Sequence, residues 1–177
     1  TMLSLDIAKR EIKLLDCLDY EDGYSLYVGI AFCPTTCAYC SFTSYPVSRF
    51  GDRVDAYLDS IEKEIDYVAE AFKDKKLNTI YIGGGTPTTL EPYQLDRLIR
   101  KIRCSFDLSS CIEFTVEAGR PDSITQEKLQ VLMPIAQDLC GDMHLIPCFR
   151  ERSFRQQEQT QAEAWLRENG YMQYMFK

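Results

Sequence analysis

Hydrophobic and polar positions along this chain follow two rhythms in turn. Leu3, Ile7, Ile12, Leu14 and Leu15 recur at helical spacing and predict a short amphipathic helix over 3–17. Tyr24 to Phe32, YSLYVGIAF, is dense in β-branched and aromatic residues and predicts a buried strand. From 53 to 73, Val54, Tyr57, Leu58, Ile61, Ile65, Val68 and Phe72 make one apolar stripe, the mark of a long helix. Leu77–Ile82 reads as a second strand, stopped by Gly83-Gly84-Gly85. Residues 91–103 read as a second helix carrying Leu95, Leu98, Ile99 and Ile102. Cys111–Val116 is a third strand, and a third helix runs from Asp122 to about Met133, N-capped by Asp122 or Ser123.

Strand and helix thus alternate three times, which predicts an α/β fold with a parallel sheet and helices on its outer face, barrel-like or doubly wound. After Met133 the pattern fails. The stretch MPIAQDLCGDMHLIPCFRERSFRQQEQTQ shows no clear strand and turns polar, before a short helix around 161–169. The expected division is therefore a unit of about three βα repeats over 1–133 and an irregular tail over 134–177.

Composition narrows the classes. With 45% hydrophobic and 27% charged residues, the chain reads as a globular protein. A net charge of −7 opposes a phosphate backbone, so nucleic acid is not an expected partner. No apolar run reaches the roughly 20 residues of a membrane span, and TMLSLDIAKREIKLL lacks the apolar core of a secretory signal. A cytoplasmic protein is expected.

Eight cysteines in a reducing compartment are not a disulfide framework; grouped ones there bind metal or do redox chemistry. Cys17, Cys104, Cys111, Cys140 and Cys148 are scattered and read as small buried hydrophobes. Cys33, Cys37 and Cys40 instead form CPTTCAYC, a C-x3-C-x2-C triplet at a strand end, where parallel α/β folds place their sites. Three thiolates on one tight loop can ligate three irons of a [4Fe-4S] cubane and leave the fourth open. An open iron can chelate the amino and carboxylate groups of S-adenosylmethionine (SAM) and pass it an electron. Cleavage of the sulfonium then yields a radical that removes hydrogen from a substrate. Structural zinc is the competing reading. It favours paired C-x2-C knuckles with a fourth ligand nearby, and the one histidine, His144, is remote in sequence.

Two further strand ends carry candidate chemistry. YIGGGTPTTL offers glycines that let a ligand approach the backbone, with carbonyls and a hydroxyl able to hold an ammonium group; a plain tight turn is the alternative. It is not a Walker motif, because no Gly-Lys-Ser/Thr follows. FTVEAGRPDSIT puts Glu117 at the end of the third strand, where a carboxylate can accept from ribose hydroxyls or an ammonium. Glu113 reads as a solvated residue.

SLYVGIAFCPTTCAYCSF resembles the signature of radical SAM enzymes, specifically the oxygen-independent coproporphyrinogen III oxidase (dehydrogenase) family. EAGRPDSIT and CSFTSYP are more similar to its Bacillus/Clostridium-type branch. The resemblance covers about residues 10–132 and implies a partial (β/α) barrel of the radical SAM type. By it, Cys33, Cys37 and Cys40 hold the cluster. Tyr27, Tyr39, Gly84, Gly85, Thr86 and Glu117 contact SAM: Tyr27 over the cluster, Tyr39 against the adenine, the glycine segment at the amino group. It implies an oxidoreductase that turns two propionates of coproporphyrinogen III into vinyl groups in haem biosynthesis, with a porphyrinogen substrate and a flavodoxin- or ferredoxin-type electron donor. No side chain is read as a catalytic acid or base. Haem-binding, chaperone-like relatives share these motifs, as do other radical SAM reactions. The family's later βα units have no counterpart here, since the residues after 133 are too few where a full barrel takes ~250. The ending AEAWLRENGYMQYMFK resembles the segment that follows the barrel in that family, so a truncated or frameshifted gene product, inactive as a fragment, is the other expectation.

Overall fold

A computed structural model describes residues 21–118, 120–138 and 142–146, together with positions 5, 7–9, 12, 18 and 168. Its regular part is β1 (Gly23–Ile30), α1 (Val54–Ala71), β2 (Lys76–Gly84), α2 (Pro92–Ser105), β3 (Glu113–Glu117), α3 (Gln126–Asp138) and β4 (Asp142–Ile146). The four strands form one sheet in the order β1-β2-β3-β4, and every neighbouring pair is parallel. All strand C-termini therefore open on the same rim, the one that carries the cysteine loop, the glycine segment and Glu117.

Alternation along the strands sorts the two faces of the sheet. Leu26, Val28 and Ile30 of β1, Ile80 and Ile82 of β2, and Phe114 and Val116 of β3 are buried under the helices. They pack against Val54, Leu58, Ile61 and Ile65 of α1, Leu95, Leu98, Ile99 and Ile102 of α2, and Leu129 and Leu132 of α3. The opposite face is polar. There Thr79 donates to Ser25 at 2.8 Å, and Thr115 to Glu113 at 2.5 Å. Glu113, expected to be solvated, thus belongs to a hydrogen-bonded row on the polar face.

Element boundaries follow local chemistry. Pro92 sits at the first position of α2, where its missing N–H costs nothing, and the Gln94 side chain accepts the Glu91 N–H at 2.9 Å. Arg97 bridges α2 to α1, reaching Glu62 at 2.6 Å and Asp59 at 2.5 Å. Register slips by one residue between Tyr24/Ser25 and Leu77/Thr79, which leaves Asn78 as a bulge in β2.

Four expectations are corrected. The first strand does not run unbroken to Phe32: β1 stops at Ile30, and Phe32–Cys33 pairs instead with Tyr45–Pro46, closing the base of the cysteine loop. The third helix is capped by Thr125, whose hydroxyl accepts the Lys128 N–H at 3.3 Å. Asp122 and Ser123 lie in a preceding 3-10 turn, Pro121–Ser123. Asp142–Ile146, placed in the irregular tail by its sequence pattern, is a fourth parallel strand paired to all of β3. Cys104 is exposed, whereas Cys111 is buried as expected.

The rest of the tail, Cys17, Cys140 and Cys148 lie outside the described residues. Of the expected terminal helices, positions 5, 7–9, 12 and 168 are described, and they are helical. Among the described residues no helix is long and apolar enough to cross a membrane.

Candidate functional site

Three consecutive strand ends build the site. The loop after β1 carries Cys33, buried, and Cys37 and Cys40, both partly exposed; all three are free thiols. A turn closed by the Cys40 N–H on the Cys37 carbonyl, at 3.1 Å, sets the spacing of the last two. The base of the loop is pinned to the next strand end. Gly85 donates its N–H to the Ile30 carbonyl at 2.6 Å, and Thr86 to the Phe32 carbonyl at 2.8 Å.

This stitching is why the second strand ends in glycine. Gly84 has φ +105°, a conformation that L side chains rarely adopt, and a Cβ there would lie 2.8 Å from the Ile30 oxygen. A Cβ on Gly85 would lie 2.6 Å from the Phe32 oxygen and 3.0 Å from Cys33 Sγ. The glycines thus bring the β2 end into contact with the first cysteine. Thr86 completes that contact: its buried hydroxyl donates to Cys33 Sγ at 3.5 Å.

On the polar face, Tyr27 and Tyr81 stack with ring centroids 5.8 Å apart, and the Tyr81 hydroxyl donates to Glu117 Oε1 at 2.6 Å. Burial first, then the hydrogen bond and charge of Glu117, hold the Tyr81 phenol above its ordinary range, so it remains a donor. Tyr27 is shifted the same way by burial and Glu117, and the residue is 61% exposed on the polar face. Tyr39 is 74% exposed on the cysteine loop. Gly84, Gly85, Thr86 and Cys33 are therefore brought together, as are Tyr27 and Glu117 through Tyr81.

Sequence reasoning missed three participants. Tyr81 carries no motif of its own; alternation with Gly83 is the signal that puts it on the site face. Arg120, in the loop after β3, donates to Cys37 Sγ at 3.4 Å and to the Thr35 carbonyl at 3.1 Å. Lys128 is buried beneath the rim and donates to the Thr88 and Ser123 carbonyls at 2.8 and 3.1 Å, while the Thr88 and Ser123 hydroxyls share a 2.6 Å bond. Desolvation pulls its ammonium below the ordinary lysine range.

A parallel sheet backed by helices, with a free cysteine triplet on its first strand-end loop and a glycine segment on the next, makes a partial (β/α) barrel. Residues 27–138 match the family model of the radical SAM superfamily, and the chain belongs to that superfamily. It is 43% identical over 135 residues to the oxygen-independent coproporphyrinogen-III oxidase-like protein HemZ of Bacillus subtilis, covering 74% of this chain and 27% of that protein. It is also 43% identical over 108 residues to the heme chaperone HemW of Lactococcus lactis, covering 61% of this chain and 27% of that one. The solved structure of coproporphyrinogen III oxidase (HemN) from Escherichia coli, a radical SAM enzyme, superposes with a TM-score of 0.66 at 25% identity, over 90% of this chain and 38% of that one. The chain thus spans about a quarter of the length of these curated relatives.

Membership brings a [4Fe-4S] cluster and SAM as cofactors, and the donor set fits the cluster. Three free thiols occupy one loop, and two of the sulfurs already accept hydrogen bonds, from Thr86 and Arg120, as iron-bound thiolates do.

Proposed function

We propose that this chain is the N-terminal half of a radical SAM core, of which the described sheet runs from β1 to β4. In this reading it belongs to an oxidoreductase that oxidatively decarboxylates two propionates of coproporphyrinogen III to vinyl groups without oxygen, in the cytosol. The observation that carries it is the cysteine triplet on the first strand-end loop, stitched through Gly85 and Thr86 to the second strand end. Cys33, Cys37 and Cys40 would hold the cluster. Gly84, Gly85 and Thr86 would take the SAM amino group, Glu117 its hydroxyls or ammonium, and Tyr27 and Tyr39 its flat surfaces. The cofactor pair, when bound, supplies one-electron reductive cleavage of a sulfonium and hydrogen-abstracting chemistry.

The chain's own side chains bind and orient. The Tyr81 hydroxyl fixes one Glu117 oxygen and leaves the other to accept from a ligand. Thr86 and Arg120 hold sulfur donors in place. A flavodoxin- or ferredoxin-type protein would deliver the electron. The identity to relatives named heme chaperone favours a second reading, haem binding without porphyrin decarboxylation.

Anaerobic reconstitution with iron and sulfide, then reduction with SAM and assay for 5′-deoxyadenosine, tests the core. Release of deoxyadenosine supports it, and no iron uptake overturns it. Adding coproporphyrinogen III or haem then divides the two readings. Carbon dioxide release marks the decarboxylase, and tight haem binding without it marks the chaperone.

A further inference from the structure

Arg120 lies outside what the triplet, the glycine segment and Glu117 account for. It follows the end of β3 by three residues, yet its guanidinium reaches the cysteine loop more than eighty residues away in sequence. Nη1 donates to Cys37 Sγ at 3.4 Å and to the Thr35 carbonyl at 3.1 Å. Nε and Nη2 fork onto the two oxygens of Asp122 at 3.0 and 2.8 Å. A guanidinium is a rigid plane, so fixing one edge on a carboxylate aims the other edge. Here the aimed edge meets a sulfur and the backbone of the same loop. The side chain is mostly sheltered, at 24% exposure, which limits solvent screening of its charge.

We propose that Arg120, seated by Asp122, is a positioning residue of the cysteine loop whose N–H···S hydrogen bond to Cys37 raises the reduction potential of the cluster. This rests on the reading that Cys33, Cys37 and Cys40 ligate that cluster. Reduction adds negative charge to the iron and its sulfurs, and a cationic donor on one sulfur stabilises that charge. Thr86 gives Cys33 a neutral donor, so among the described residues Arg120 is the charged one of the two donors to these sulfurs.

The test compares the wild-type chain with Arg120→Met, Arg120→Lys and Asp122→Asn, each reconstituted anaerobically. Iron per chain is measured, and the midpoint potential is read by EPR-monitored redox titration. With about four irons per chain throughout, Arg120→Met is expected to titrate at a more negative potential than wild type. Arg120→Lys should fall between them, because a point charge is kept and the fork is lost. Asp122→Asn should shift in the same direction by a smaller amount. Equal potentials in loaded wild type and Arg120→Met overturn the inference and leave the cluster reading standing. A lowered melting temperature with no change in potential also overturns it, since a purely structural arginine would give that result. If Arg120→Met fails to fold by circular dichroism, Asp122→Asn decides: an unmoved potential overturns the proposal. No iron in the wild-type chain overturns the cluster reading and the inference with it.

Discussion

Tyr81 reaches Glu117 because strand alternation puts it on the polar face, three residues before Gly84 and one strand away from the carboxylate. Removing its hydroxyl frees the Glu117 oxygen that it holds. Tyr81→Phe is expected to cost about 1 kcal/mol of stability, the net worth of one hydrogen bond. It should also weaken SAM binding by roughly tenfold, equivalent to about 1.4 kcal/mol; calorimetry on the reconstituted chain reads this directly. The pH dependence follows from the raised phenol. Its contribution is complete below the ordinary value of 10.0 and is lost as pH climbs through the higher folded value. Wild type should therefore lose stability over Tyr81→Phe only above pH 10, and one tyrosine that titrates above the ordinary range should vanish from the phenolate absorbance of the variant. Gly85 makes a sharper case. An alanine Cβ there meets both the Phe32 carbonyl and Cys33 Sγ, so Gly85→Ala should lose most of its iron uptake even where the sheet still folds. Full iron loading in Gly85→Ala, measured by metal analysis, would show that the close approach is dispensable.

Between elements, buried packing outweighs the ion pairs that are easier to see. Leu98 is fully buried between α2 and the sheet, and Leu98→Ala should cost about 2–5 kcal/mol. Arg97 joins α2 to α1 through Glu62 and Asp59 at a partly exposed seam, so Arg97→Met should cost about 1 kcal/mol, less than the lost packing. Urea unfolding of both variants checks the ranking, and a larger loss for Arg97→Met would refute it. The same contrast explains what was legible in the sequence. Stripes such as Leu58, Ile61 and Ile65, or Leu95, Leu98 and Ile102, are local and periodic, so α1, α2 and their strands follow from pattern alone. The strand Asp142–Ile146 does not, because DMHLI mixes charge and imidazole into five residues, and its register comes from pairing with β3. The α3 cap moved to Thr125 because the Ser123 hydroxyl is spent on the Arg120 carbonyl inside the 3-10 turn. The triplet and glycine segment were readable as motifs. The Arg120 contact was not, since it joins residues that only the parallel topology makes neighbours.

Across the whole molecule, the cysteine loop is tied to more than its own strand. Gly85 and Thr86 bind it to the end of β2, and Arg120 binds it to the segment after β3. A cofactor held by three residues of one loop would, without those ties, stabilise only that loop. With them, binding to the folded state and not to the unfolded one must raise the stability of the sheet as a unit, by RT ln(1 + [L]/Kd). The reconstituted chain is therefore expected to melt at a higher temperature than the apo chain. Its amide protection should rise at Gly83–Thr86 and around Arg120–Ser123 as well as within 33–45. Hydrogen exchange followed by mass spectrometry distinguishes the cases. Gains confined to the cysteine loop would mean that the three strand ends behave as separate parts, and a rise that spreads to β2 and the post-β3 turn would mean that they act as one site.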